Sequence, residues 1–172
     1  MKIASALLVA CLLLNGCGYR TSNSGKNARL PQVKTLAVPV FTNQTHTYRV
    51  DQVLTMAVVR ELTTRTNYQI INEDSAGADA TLRGVIVQTQ TAPVTYDSTT
   101  GRVSTALVTI NLRISLVDKN GAVIFDNPNY VFRDEYQISR ELSSFFEEET
   151  PALDRIARDV ARSVVSNILE GF

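Results

Sequence analysis

The sequence is poor in the side chains that carry most enzyme chemistry. It holds one histidine and two cysteines. Both cysteines, Cys11 and Cys17, fall near the start. No thiol follows Cys17, which excludes a disulfide framework or a cysteine-based metal site in the rest of the chain. His46 has no thiol to partner it and reads as a surface residue ahead of a helix. Glycine-rich phosphate loops, paired acids set in a pocket and zinc spacings are also missing. Asn43-Gln44-Thr45 has the form of a glycosylation sequon and reads as a turn. Glu147-Glu148-Glu149 has the look of a metal-binding acid cluster, but such acids also favour a helix start. The expectation is a protein that is not an enzyme, with no metal and no cofactor. An excess of charge of either sign is lacking too, with 17 basic and 17 acidic residues, which disfavours a general nucleic-acid binder.

Long apolar runs are scarce as well. The only long one is Ile3 to Leu14, 12 residues behind Lys2. A membrane-spanning helix needs roughly 20 apolar residues, so this run suits a cleaved secretory signal. Leu14-Asn15-Gly16-Cys17 closes it and resembles the bacterial lipobox, with a branched residue, a small residue and the acylated thiol. The alternative is an ordinary signal with an incidental cysteine. Under the lipobox reading Cys17 is lipidated, residues 1–16 are removed, and several acyl chains hold the protein on a membrane. Gly18 stands where an Asp would favour retention at the inner membrane, so outer-membrane delivery is expected. Removal of Lys2 leaves 16 of the 17 basic residues against 17 acids, a net charge near −1.

Residues 17–32, rich in Ser, Asn and Gly, read as a lipidated start and flexible tether, and residues 33–172 as one α/β domain. Strand one runs from Val33 to Phe41, with Pro39 marking an end or an edge position. Val50, Val53, Leu54, Ala57, Val58 and Leu62 recur at three and four, which predicts a one-sided helix over about 47–65. Tyr68–Ile71 and Asp79 to about Thr91 follow as strands. From Val103 to Asp118 strict alternation predicts one buried and one polar face. Asn120-Gly121 then suggests a two-residue turn with both residues at positive φ. The returning strand, about Ala122 to Ile138, carries Tyr130, Phe132, Tyr136 and Ile138 on one side and a bulge or break at Pro128. Thr150 and Pro151 read as the N-cap and first residue of a closing helix that ends at Gly171. The fold class expected is α+β: a two-layer α/β sandwich in the order β-α-β-β-β-β-α, with a four- to five-stranded, mostly antiparallel sheet and two helices on one face.

One pair of residues stands out as a candidate ligand site. Arg83 and Arg113 share the odd, polar parity of their strands, and a hairpin folding near Asp97-Ser98 sets them roughly opposite each other. Facing like charges cost stability unless solvated or paired with an anion, and guanidinium groups bind phosphates in bidentate fashion. The alternative is two solvated arginines on an open sheet face. The connection from Thr91 to Gly101 is polar and β-prone, and is either a hairpin that inserts into a partner or a plain surface loop.

Taken together, Cys17-Gly18-Tyr19-Arg20, Leu30-Pro31, Thr35 to Thr45, Ala78 to Gly84, Val117 to Gly121, Tyr136 to Ser139 and Ile168-Leu169-Glu170 resemble the LptE family of lipopolysaccharide-assembly lipoproteins. The resemblance implies a plug within the lumen of the LptD β-barrel that helps the barrel assemble and lipopolysaccharide reach the outer leaflet. It implies as partners an LptD-like barrel, lipopolysaccharide and, through the lipid, the outer membrane. A second reading of the same layout is an auxiliary lipoprotein of an ABC-type phospholipid-trafficking system.

Overall fold

The computed structural model describes residues 33–73, 77–138 and 145–170. The signal segment, Cys17 and the tether lie outside the described residues. The elements run β1 (Thr35–Ala37), β2 (Thr42–Asn43), α1 (Val50–Arg65), β3 (Gln69–Ile71), β4 (Ala80–Tyr96), β5 (Val103–Asp118), β6 (Val123–Gln137) and α2 (Phe145–Glu170). The class is α+β as expected. The first strand is split, so the sheet has six strands, ordered β3-β1-β4-β5-β6 with β2 also on β4.

The split is the work of Pro39. Its ring removes a ladder donor, so the chain leaves the sheet after Ala37 and rejoins β4 at Thr42. β1 and β2 therefore lie end to end along the first half of β4, both parallel to it, against Ala80-Thr81 and Val85-Ile86. β3 is also parallel to β1. The sheet is mixed, antiparallel only across β4, β5 and β6.

Alternation in β5 sends Ala106, Val108, Ile110, Leu112, Ile114 and Leu116 into the core. They meet Val50, Leu54, Val58 and Leu62 of α1 and Ile156, Val160, Val164 and Ile168 of α2. Both helices cover this face. Phe41, 2% exposed, fills the gap left by the strand break and lies over Gly84, where a Cβ would sit 2.5 Å from the ring. Its backbone N–H donates to Thr55 Oγ1 at 2.9 Å, fixing the break to α1.

Three local expectations are corrected. The closing helix starts at Phe145, and Pro151 lies inside it rather than at its first position. A proline costs a helix one hydrogen bond, and the apolar stripe beyond Ala152 carries the packing that offsets it. The β5–β6 turn has three loop residues, with only Gly121 at positive φ (84°). Asp118 N–H reaches Ala122 O, and the Asp118 carboxylate accepts from the N–H groups of Asn120 and Ala122. That bracing replaces a two-residue turn. Finally, β4 does not stop near Thr91 but stays paired with β5 through Tyr96 opposite Val103, so residues 91–101 continue the hairpin up to a tight turn at Asp97. Pro128 does mark a bulge: Leu112 faces Tyr130 whereas Ile114 faces Asn127.

Candidate functional site: the open sheet face

With both helices on one side, the other side of β4-β5-β6 is the surface that the fold leaves for recognition. Odd positions of β5 point there, and the register fixes their neighbours. Arg83 faces Ser115 and Arg113 faces Val85, so the two arginines are diagonal neighbours rather than direct partners. Diagonal pairs lie about 7–8 Å apart, within the span of one phosphorylated sugar but beyond direct guanidinium contact. Both are exposed.

The register adds a residue that the sequence reading passed over. Arg133 of β6 faces Thr109 on the same side of the sheet and is exposed. The signal was present: Tyr130, Phe132 and Tyr136 point inward, which puts Arg133 outward by the same parity. Four residues along β5, about 13 Å, separate its row from that of Arg113. Between the rows lies Asn111, whose Nδ2 donates to Gln88 Oε1 at 3.3 Å while its Oδ1 has no partner among the described residues. Val85 and Leu107, both half-buried, and Val131, exposed, make up an apolar part of this surface. Asp126, opposite Ser115, and Glu135, opposite Leu107, are its acids. The face is thus amphiphilic, with cationic points over a partly apolar floor.

The rest of the molecule offers less chemistry. Among the described residues no group of His, Cys, Asp and Glu is placed to hold a metal. His46 is exposed. Glu147 to Glu149 fall inside the opening turns of α2 rather than just ahead of a helix beginning at Thr150. A furrow of about 740 Å³ between the helices is lined by Met56, Ala57 and Arg60 of α1 and Ala157, Arg158 and Ala161 of α2. Val53 and Ala57, read from sequence as core, are half-buried there. Among the described residues no helix is long and apolar enough to cross a membrane.

Two carboxylates hold the end of the sheet where the chain enters it. Asp79 Oδ2 accepts from the backbone N–H groups of Lys34 and Thr35 at 2.9 and 3.0 Å. Those donors hold its carboxyl below the ordinary Asp range. Asp118 is lowered likewise, first by the Ala122 N–H. Both are braces of the scaffold.

No curated protein matches the chain. Solved structures share its fold. Lipoprotein B from Nitrosomonas europaea aligns with a TM-score of 0.58 at 13% identity over 86% of this chain and 88% of that one. The rare lipoprotein B from Shewanella oneidensis gives 0.51 at 13% over 78% and 92%. The PelC dodecamer from Paraburkholderia phytofirmans gives 0.53 at 17% over 84% and 92%. At such identities the likeness establishes the architecture alone. Family assignment comes from a different comparison: the LptE lipopolysaccharide-assembly family model matches residues 33–168, from the first described residue of β1's approach to the last turn of α2. The chain belongs to the LptE family of lipopolysaccharide-assembly proteins.

Proposed function

We propose that this LptE-like outer-membrane lipoprotein acts without catalysis, as a subunit that docks inside an LptD-like β-barrel, aids its assembly and helps pass lipopolysaccharide to the outer leaflet. The family match over 33–168 carries the reading. In this scheme residues 1–16 are cleaved, Cys17 is acylated, residues 17–32 span from lipid to fold, and residues 33–172 act as one domain on the periplasmic side or within the barrel lumen.

The geometry supports a binding role for the open face. Lipopolysaccharide presents phosphates beside acyl chains, and Arg83 and Arg113, with Arg133 farther along, stand beside Val85, Leu107 and Val131. The arginines take the phosphates and the apolar floor the upper part of the chains. Because these side chains are exposed, binding weakens as salt rises.

The test is binding of purified lipopolysaccharide to the detergent-solubilised protein and to Arg83→Ala/Arg113→Ala. The double variant is expected to bind about tenfold more weakly, a loss of ~1.4 kcal/mol, with its melting temperature unchanged. Equal binding by both proteins refutes the assignment of these arginines.

A further inference from the structure

Among the described residues the longer stretches of unpaired sheet edge belong to β3, β4 and β6, and they are not alike. β3 is three residues long, too short to template another strand. β6 is long but guarded: it carries Asp126, Arg133, Asp134 and Glu135 along with Pro128. One of its backbone acceptors is also occupied, since Arg155 Nη2 donates to Glu135 O at 3.0 Å while its Nε bonds Asp134 at 2.6 Å. Charges, a proline and a bulge are the ordinary means by which proteins keep edges from pairing.

The edge of β4 lacks the charges that guard β6. Parallel pairing with β2 ends at Ile86, where Gln44 N–H donates to Ile86 O. The chain then lifts away toward α1, its Thr47 hydroxyl meeting that of Thr89. Beyond Ile86, β4 continues to Tyr96 with β5 as its strand partner on one side and, among the described residues, no strand on the other. This stretch reads Val-Gln-Thr-Gln-Thr-Ala-Pro-Val-Thr-Tyr, ten residues without a charge. Val87, Val94 and Tyr96 are 42%, 44% and 60% exposed. It spans about 30 Å of extended backbone with donors and acceptors turned outward, interrupted by Pro93 and by register shifts between Ile86 and Gln88, Pro93 and Thr95, and Thr95 and Tyr96.

We infer that Val87–Tyr96 is a docking edge that takes up an extended, uncharged segment of a second, different polypeptide as an added strand. The second chain is taken to be the barrel subunit proposed above, and the pairing rests on that reading. Charge selects the occupant: a strand laid on this edge surrounds its side chains with Val, Thr and Gln, and a charged residue there loses solvation without a counter-ion. A second copy is the poorer occupant. Two-fold pairing of β4 with itself puts both Pro93 residues in one ladder and forfeits two donors, whereas a foreign strand meets one. Main-chain bonds supply affinity, and Val87, Val94 and Tyr96 supply side-chain contacts.

The test compares amide hydrogen exchange in the full-length lipoprotein, isolated in detergent, with that in its complex with the barrel subunit purified from membranes. In the isolated chain, about every second amide of Val87–Tyr96 faces outward and exchanges fast. In the complex those amides are expected to slow by ~100-fold or more, with those of Val131–Gln137 little changed. Gln90→Lys/Val94→Lys leaves β5 pairing intact and is expected to lower recovery of the complex about tenfold, whereas Val123→Lys, at the exposed start of β6, does not. A complex that forms with Val87–Tyr96 still exchanging fast overturns the edge pairing and spares the barrel partnership. A homodimer protected at Val87–Tyr96 overturns the choice of occupant. A chain that yields only monomer overturns both readings.

Discussion

Gly84→Ala sets two effects of opposite sign against each other at the seam of the fold. Gly84 lies within β4 and has an ordinary negative φ, so alanine is conformationally welcome there and contributes about 0.5–1 kcal/mol of stability through the unfolded chain. Against that gain stands the ring of Phe41. A Cβ built on Gly84 falls 2.5 Å from its Cγ and 2.6 Å from both Cδ atoms, well inside contact distance. The ring cannot swing freely, because Phe41 is buried and its N–H is held by Thr55, which itself donates to Asp51 O at 2.6 Å. Overpacking of this kind costs about 1–3 kcal/mol. The clash therefore wins, with a net loss of about 1–2 kcal/mol. For a fold of this size that is a drop in melting temperature of roughly 3–8 °C. Thermal melts followed by far-UV circular dichroism measure it. Phe41→Leu is the partner variant: if the clash is the cause, Gly84→Ala costs less in its presence, a coupling of about 1 kcal/mol. A Gly84→Ala protein as stable as wild type, or effects that simply add, refutes the reasoning.

Other expectations follow from the same contacts. Thr55→Val keeps the shape but leaves the buried Phe41 N–H without an acceptor, costing about 1–3 kcal/mol in urea unfolding, while Thr55→Ser retains the bond and most of the stability. Arg155→Ala removes a partly exposed ion pair to Asp134, so the same assay finds a loss under about 1 kcal/mol. The Asp79 carboxyl titrates lower in the folded than in the unfolded chain, so its contribution is present above the unfolded value near ~4 and fades as pH falls through the folded one. Asp79→Asn is accordingly expected to melt below wild type at pH 7, with the difference closing in acid.

What the sequence revealed and what it hid have physical reasons. β5 was legible because strict alternation over a long strand leaves one assignment of faces, and that parity placed Arg83 and Arg113 on the open side. The split of β1 from β2 was visible only as Pro39, since where a strand rejoins a sheet depends on its neighbour. The closing helix was misread at its start because Thr150-Pro151 obeys local capping rules that tertiary packing overrode. Asn120-Gly121 misled in the same way: the Asp118 side chain, not the central dipeptide alone, decides the turn. The outward side of Arg133 follows from the parity of Tyr130, Phe132 and Tyr136, but its distance from Arg113 depends on a β5–β6 register shifted by the bulge at Pro128. The extension of β4 to Tyr96 matches the hairpin alternative for residues 91–101, which stood level with a loop because Thr, Gln and Ala sit as readily in a polar loop as in an exposed strand.

The central claim is that this fold works by docking into another chain. Extraction of outer membranes in mild detergent, followed by affinity purification of the full-length lipoprotein and identification of what accompanies it, tests that claim most directly. The expected result is one large β-barrel recovered in stoichiometric amount with the acylated protein. Recovery of an unacylated, soluble periplasmic monomer contradicts it.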